Sequence, residues 1–418
     1  MSALEVGPEA RAAMELERRY AAPNYSPLPI VITRGERCFV WDVEGRRYLD
    51  GLSAYSAVNQ GHRHPRIVAA LVEQAGRLTL TSRAFHNDRM GPFLERLCEV
   101  TGFPRALPMN TGAEAVETAV KAMRRWGYER KGVPDGEGEI VVAEGNFHGR
   151  TLLAVSLSSD RSSYGGYGPF VPGIVKVPFG DLDAMARAIG PRAVGVLLEP
   201  IQGEAGVIVP PEGYLPGVRA LCSERRVPLC LDEIQTGLGR TGRMFAWQHW
   251  GARPDLLCVG KALSGGVYPV SAVCGEEELL DVFTPGTHGS TYGGNPLAAA
   301  VATAALAVIV EEGLPARAER LGSRALARLR QGLAGAPGVR EVRGRGLMIA
   351  VQLEGGVARR VAESLARDAG VLCKDTRGHT IRFLPPLVTP EDVLLDAVDR
   401  MLPILAGVHA PSGAGHPP

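Results

Sequence analysis

Four short apolar runs, each breaking into polar residues or glycine at its carboxyl end, constrain this chain more than any other feature. They are Ile140–Ala143, Ala193–Leu198, Pro228–Leu231 and Leu256–Val259. Brief apolar runs bounded by Gly, Pro or polar residues read as buried strands. Helical patterns fall between them, Tyr214–Arg225 included. The alternation gives βαβ units, hence an α/β fold with a mainly parallel sheet covered by helices. In such sheets the chemistry gathers at the carboxyl ends of the strands. Here those ends read Glu144-Gly-Asn-Phe-His, Glu199-Pro-Ile-Gln, Asp232-Glu-Ile-Gln and Gly260-Lys261.

The texture changes near residue 298. A long Ala-rich helical stretch runs through Val310, and a second helix is expected over Ala316–Leu333. Strand-like segments at Val339–Arg343 and Leu347–Leu353, a helix near Val357–Ala369 and a strand at Thr380–Phe383 follow. This reads as a smaller α+β domain over 298–408. Residues 56–297 form the large domain. Residues 1–55 pack on the small one and carry a hairpin around Cys38–Tyr48 that turns at Glu44-Gly45. Residues 409–418 lack core-forming content and are expected to be a disordered tail.

Composition excludes several classes of function. The 418 residues include 46 basic and 45 acidic ones, a net charge of +1, which gives no footprint for nucleic acid or an anionic membrane. The first twenty residues carry four glutamates and no apolar run, so they match neither a signal peptide nor a transit peptide. No stretch approaches the roughly 20 apolar residues of a membrane span. The seven cysteines are scattered and never form a CxxC pair, which argues against a disulfide framework or a zinc site and for the cytoplasm. Only five of the basic residues are lysines, at 121, 131, 176, 261 and 374. Chemistry that needs a primary amine has few candidates.

Lys261 is one, since it follows an apolar strand and precedes Ala-Leu-Ser-Gly-Gly. Desolvation there would lower the ammonium pKa and make the amine a nucleophile. Asp232 ends the neighbouring run, where a carboxylate would keep the ring nitrogen of a pyridoxal cofactor protonated. Gln235 would lie near the ring hydroxyl, and Ile234 would cover a ring face. Asn110-Thr-Gly-Ala-Glu-Ala opens a helical stretch, Glu114–Trp126, whose N–H groups at Gly112 and Ala113 suit a phosphate. Each feature has a plainer reading when taken alone: a strand-end lysine reaching solvent, an aspartate capping a turn, and an ordinary helix capped by Asn110 or Thr111.

Two other motifs carry less. Gly237-Leu-Gly239-Arg-Thr-Gly242 fits GxGxxG, but no clear helix follows it and no acid stands about 20 residues on at a second strand end. His62 and His64 form an HxH pair with no third ligand in view, so a turn role is expected and no metal.

Together these residues resemble the class III aminotransferases of the fold-type I pyridoxal-phosphate superfamily. The resemblance runs from Asn24 to Pro390 and includes LPMNTGAEAVETA, GNFHGRT, LLEPIQGEAGV, LDEIQTGLGRTG, GKALSGGVYPVSAV and HGSTYGGNPL. It implies a seven-stranded-type central sheet with helices on both faces, and pyridoxal 5'-phosphate as cofactor. Lys261 matches the Schiff-base lysine, which also carries the proton between substrate and cofactor. Asp232 matches the ring-nitrogen partner and Gln235 the ring-hydroxyl partner. Phe147 matches the stacking residue, His148 its neighbour at the ring, and Gly112 and Ala113 the phosphate contacts. Ser290 and Thr291 resemble residues that reach the phosphate from the neighbouring subunit, which implies a homodimer, or a larger assembly built on one.

Within the family, the closest likeness is to its ornithine branch. That implies transfer of the δ-amino group of L-ornithine to 2-oxoglutarate by a ping-pong route, giving L-glutamate 5-semialdehyde and L-glutamate. The aldehyde cyclises to pyrroline-5-carboxylate, which links arginine catabolism and proline biosynthesis. Arg382 resembles the arginine that takes the α-carboxylate of the oxo acid, and Glu204 the glutamate that masks it while ornithine is bound. Tyr25 and Arg150 resemble distal carboxylate contacts, and Tyr55 the residue shaping the pocket for ornithine. His148 departs from the Trp of some ornithine enzymes. Branches acting on acetylornithine, 4-aminobutyrate or the lysine ε-amine share the same chemistry, and a pyridoxal-binding regulator without turnover is the reading from another class.

Overall fold

A computed structural model of the chain describes residues 6–408. The tail expected at 409–418 lies outside the described residues. Strands β1 (Ile32–Glu36), β2 (Phe39–Asp42) and β3 (Arg47–Asp50) come first. They are followed by β4 (Arg105–Met109), β5 (Glu139–Ala143), β6 (Ile174–Val177) and β7 (Ala193–Leu198). Next come β8 (Leu229–Asp232), β9 (Leu256–Val259) and β10 (Ser271–Gly275). The C-terminal part adds β11 (Val339–Arg345), β12 (Met348–Leu353), β13 (Val371–Leu372), β14 (Lys374–Thr376) and β15 (Thr380–Phe383).

The middle seven strands form one sheet in the order β4-β10-β9-β8-β7-β5-β6. Strand β10 runs against both its neighbours, and the pairs from β9 to β6 are parallel. Every residue of β7, β8, β9 and β10 is buried, as continuous apolar runs between two helical layers should be. The expected strand at Pro228–Leu231 begins one residue later. Pro228 has no N–H to give the ladder, although its carbonyl still accepts from Val196 N at 2.9 Å.

Two four-stranded sheets complete the fold. One joins β1, β2 and β3 from the N-terminal part to β13, which pairs parallel to β3. The other is antiparallel, in the order β11-β12-β15-β14. Between the large sheet and β11 run two helices, Pro296–Glu311 and Leu314–Gly332. The second begins earlier than expected because Pro315 suits a first helical turn, where no N–H is needed. The helix expected near Val357–Ala369 is regular only over Ala358–Ser364 and widens into a π-turn, Leu365–Ala369, before Gly370 at φ 62° ends it. No single helix among the described residues is long and apolar enough to cross a membrane.

The motifs that resembled other sites have local structural roles. The glycine run at 237–242 is a loop whose Arg240 is fully buried. Its guanidinium donates to the carbonyls of Leu347 (2.9 Å) and Pro385 (2.7 Å) and to Asn59 Oδ1, latching the large sheet to the C-terminal part. His62 pairs with Asp50 at 2.7 Å and His64 with Glu312 at 3.1 Å.

One segment breaks local rules. Ser53, Ala54, Tyr55 and Ser56 all have positive φ, at 51°, 45°, 60° and 74°. A left-handed residue with a Cβ costs roughly 1–2 kcal/mol, so neighbouring groups must hold this turn. Asp50 Oδ1 accepts from the N–H groups of Leu52 and Ser53, and Ser53 Oγ donates to Leu384 O at 2.6 Å. Ala54 is exposed and loses no packing on truncation. Ala54→Gly should therefore raise the unfolding free energy by about 0.5–1 kcal/mol, the relieved strain less the added chain entropy. Thermal or denaturant unfolding of the two proteins measures this, and a destabilised variant would contradict it.

Candidate active site

The helix Gly112–Trp126 opens with a capping box. Thr111 Oγ1 accepts from Glu114 N at 3.3 Å, and Glu114 Oε2 accepts from Thr111 N at 2.7 Å. The N–H groups of Gly112 and Ala113 lie in the first turn, where no carbonyl of the helix reaches them. A side chain at Gly112 would crowd Ile234, whose Cδ1 would lie 2.9 Å from its Cβ.

Gly112, Ala113, Phe147, His148, Asp232, Ile234, Gln235 and Lys261 all line one cavity of about 190 Å³. Eight residues from four separate stretches of chain thus converge where strands β5, β8 and β9 end. Lys261 stands in a short 3-10 turn, Lys261–Ser264, with φ 45°. A left-handed lysine is uncommon, and strained residues of this kind cluster at functional sites. Burial holds its amine below the usual lysine range, against the pull of Glu204, Asp232 and Glu199. The same lysine lines a second cavity, of about 320 Å³, with Asn110, Thr111 and Tyr268. The other four lysines lie elsewhere; Lys131 and Lys176, for example, donate to the backbone carbonyls of Ala193 and Ser158.

Asp232 is 5% exposed. Its Oδ2 lies 2.7 Å from His148 Nδ1, and its Oδ1 accepts from Ile234 N at 3.1 Å. Burial works against charge on the imidazole, but the hydrogen bond and charge of Asp232 prevail and raise the His148 pKa. His148 Nε2 is buried without a partner. Sequence reading placed His148 at the ring but did not reveal this pairing.

It also missed Glu199, which lines the same cavity. Its carboxylate accepts from Phe147 N at 3.0 Å and from Gly203 N at 3.3 Å, tying two walls of the site together. The only signal for it was an acid placed directly after an all-apolar strand. Thr236 also lines the cavity and was not singled out.

Four of the expected substrate residues, Arg382, Glu204, Tyr55 and Arg150, connect to this cavity through their contacts. Arg382, 1% exposed, donates to Glu204 Oε1 at 2.6 Å and Oε2 at 3.0 Å, a two-pronged pair. Burial raises the Glu204 carboxyl, but Arg382 overcomes that and holds it below the usual range. Gln235 Nε2 donates to Glu204 Oε1 at 3.2 Å, joining the pair to the cavity. Arg382 lies over the Tyr55 ring at 5.2 Å, and Arg150 over the Phe147 ring at 5.4 Å. Tyr25 is 81% exposed. Ser290 and Thr291 do not line the Lys261 cavity of their own chain; Ser290 Oγ accepts from Asn110 Nδ2 at 3.0 Å.

The chain is similar to known proteins over nearly its whole length. Residues 20–405 match the family model for aminotransferase class-III. The chain is 55% identical over 413 residues to the ornithine aminotransferase of Bordetella pertussis, covering 98% of this chain and 99% of that protein. It is 53% identical over 395 residues to the ornithine aminotransferase of a Geobacillus species, covering 94% and 98%. The crystal structure of the ornithine aminotransferase from Toxoplasma gondii superposes with a TM-score of 0.93 at 44% identity, covering 95% and 94%.

The buried acid generates a pH prediction. Burial pushes the Glu199 carboxyl up to about 7 from an ordinary 4.5, against the opposing effect of His148. A group that binds its proton more tightly when folded adds stability that is fully present below its unfolded pKa. That stability is lost as pH rises through the folded pKa. Between pH 4.5 and 8, wild type should therefore lose stability relative to Glu199→Gln, as followed by thermal unfolding of both proteins. A difference that stays constant across this range would refute a titrating Glu199.

Proposed function

The chain belongs to the class-III aminotransferases, and from that premise we propose that it moves the δ-amino group of L-ornithine to 2-oxoglutarate, yielding L-glutamate 5-semialdehyde and L-glutamate. The observation that carries this reading is the two-pronged Glu204–Arg382 pair, joined through Gln235 to the cavity that holds Lys261.

The residues present suit pyridoxal 5'-phosphate. Lys261 offers a buried amine, Asp232 a carboxylate for the ring nitrogen, and Gly112 and Ala113 free N–H groups for the phosphate. Phe147 and Ile234 offer apolar faces, and Gln235 Oε1 is a buried acceptor without a partner. When bound, the cofactor supplies a sink for the electron pair left on the carbon that bears the amine.

The protein's own residues do the rest. Lys261 Nζ, which burial favours in its uncharged form, accepts the proton from the δ-carbon of ornithine and returns a proton in the other half of the reaction. His148 donates to Asp232 Oδ2 and keeps that carboxylate oriented. With ornithine bound, Glu204 neutralises Arg382, so no free cation repels the δ-amine. With the oxo acid bound, the Glu204 carboxylate gives way and Arg382 takes the α-carboxylate in its place. Tyr25 and Arg150 hold the far carboxylate, and Tyr55 shapes the pocket for ornithine.

The enzyme acts as a homodimer in this reading. Ser290 and Thr291, absent from the lining of their own chain's cavity, reach the partner's phosphate. Exposed Tyr25, Phe85 and Tyr292 are surfaces that such a partner would cover. The seven free cysteines suit the reducing cytoplasm.

Single-turnover absorbance of the cofactor-loaded protein tests the substrate. L-Ornithine should convert it faster than N-acetylornithine, 4-aminobutyrate or L-lysine; a faster reaction with one of these moves the assignment to that amine. Lys261→Ala should abolish turnover. Glu204→Ala should unmask Arg382 and shift reactivity from the δ-amine toward α-amino groups by about tenfold or more, on the scale of one buried charge-assisted pair. An unchanged ratio of δ- to α-half-reaction rates would remove the switch from the mechanism.

A further inference from the structure

A large cavity of the described structure lies away from Lys261. It measures about 820 Å³, and Arg34, Arg37, Arg63, Arg66 and Arg317 all face it, together with His64. Its walls come from the β1–β2 turn, the segment before the helix Pro65–Ala75, the start of the helix Leu314–Gly332 and the chain at 388–390.

The charge in this cavity is unbalanced. Arg34 pairs with Glu36 at 2.6 Å, Arg66 with Glu311 at 2.7 Å, and His64 with Glu312 at 3.1 Å. Among the described residues, Arg37, Arg63 and Arg317 form no salt bridge. Arg317 is held by backbone alone, through the carbonyls of Leu387 at 3.0 Å and Thr389 at 2.7 Å. Burial and the nearby charges of Arg320 and Arg37 lower its pKa, a sign of crowded cations. His64 Nδ1 is a buried ring nitrogen with no partner.

A backbone bridge sets the two exposed arginines on adjoining chain segments. Arg37 and Arg63 have φ of 54° and 55°, in the left-handed region. Residue 37 is locked there by a reciprocal bridge to His62, with Arg37 N to His62 O at 3.0 Å and His62 N to Arg37 O at 2.7 Å. Unpaired guanidinium ions on adjoining segments repel one another, and an anion bound between them would relieve that repulsion.

We propose that this cavity binds a phosphoanhydride anion, pyrophosphate or the polyphosphate of a nucleotide, through Arg37, Arg63 and Arg317. Arginine forks match phosphate oxygens in pairs, and a phosphoanhydride carries enough negative charge to balance three guanidinium ions. The site is separate from the cofactor phosphate site at Gly112, so it stands independently of the catalytic reading.

The test is calorimetric titration of the cofactor-loaded protein with sodium pyrophosphate, while the cofactor absorbance is followed. The expected result is one site per chain with an unchanged spectrum. Arg37→Asn and Arg63→Asn should each weaken it about tenfold, as loss of a charge-assisted bond does. Asparagine is chosen because it tolerates left-handed backbone. Arg63→Asn leaves the bridging residue intact and serves alone should Arg37→Asn fail to fold. ATP in place of pyrophosphate identifies the source: tighter binding means a nucleotide is recognised, equal binding the anhydride itself. No heat of binding, equal affinity in the variants, or a changed cofactor spectrum would each overturn the proposal.

Discussion

The parallel pairing of β8 with β9 is the constraint from which the active site follows. In that register Asp232 stands opposite Cys258, so the chain leaving β9 reaches Lys261 three residues later on the same rim. Both strands are wholly buried. A slip by one residue would send every side chain to the opposite helical layer, where its shape does not fit. The separation of carboxylate and amine is therefore set by the sheet, and the helix Gly112–Trp126 brings its N-terminal turn to the same rim from β4.

Around that rim the site balances charges that would be costly singly. Asp232 has His148, Glu204 has Arg382, and Lys261 lies among three carboxylates. Burying an ion is tolerable only when partners and hydrogen bonds replace water. Glu199 follows another course. Two backbone N–H groups bond its carboxylate, yet burial still pushes its pKa up to about 7. It stands between the segment that carries Phe147 and the loop that carries Glu204, so one side chain ties those two segments together.

Strain is concentrated in the same region. The left-handed turn at 53–56 sets Tyr55 against Arg382, and Lys261 itself is left-handed. Neither position is glycine or asparagine, so the conformation is imposed by contacts such as Ser53 to Leu384. A rigid surround can hold a side chain where its own backbone preference would not.

Much of this was legible in the sequence. The apolar runs and the acids, lysine and glycines at their ends depend on local periodicity, and local periodicity decides strand, helix and fold class. The runs also marked Asp232 and Lys261 as rim residues, the start of a helical stretch marked Gly112, and family likeness supplied Glu204, Arg382 and Phe147. Tertiary structure alone decided who touches whom. Glu204 and Arg382 lie 178 positions apart, and His148 and Asp232 84. No spacing rule spans such distances. The left-handed turn of Ser-Ala-Tyr-Ser has no signature in its residue types, and an acid such as Glu199 reveals its role only through the backbone groups that surround it. Residue pattern determines which elements form; which side chains share a low-dielectric pocket, and with what charge, depends on how those elements pack.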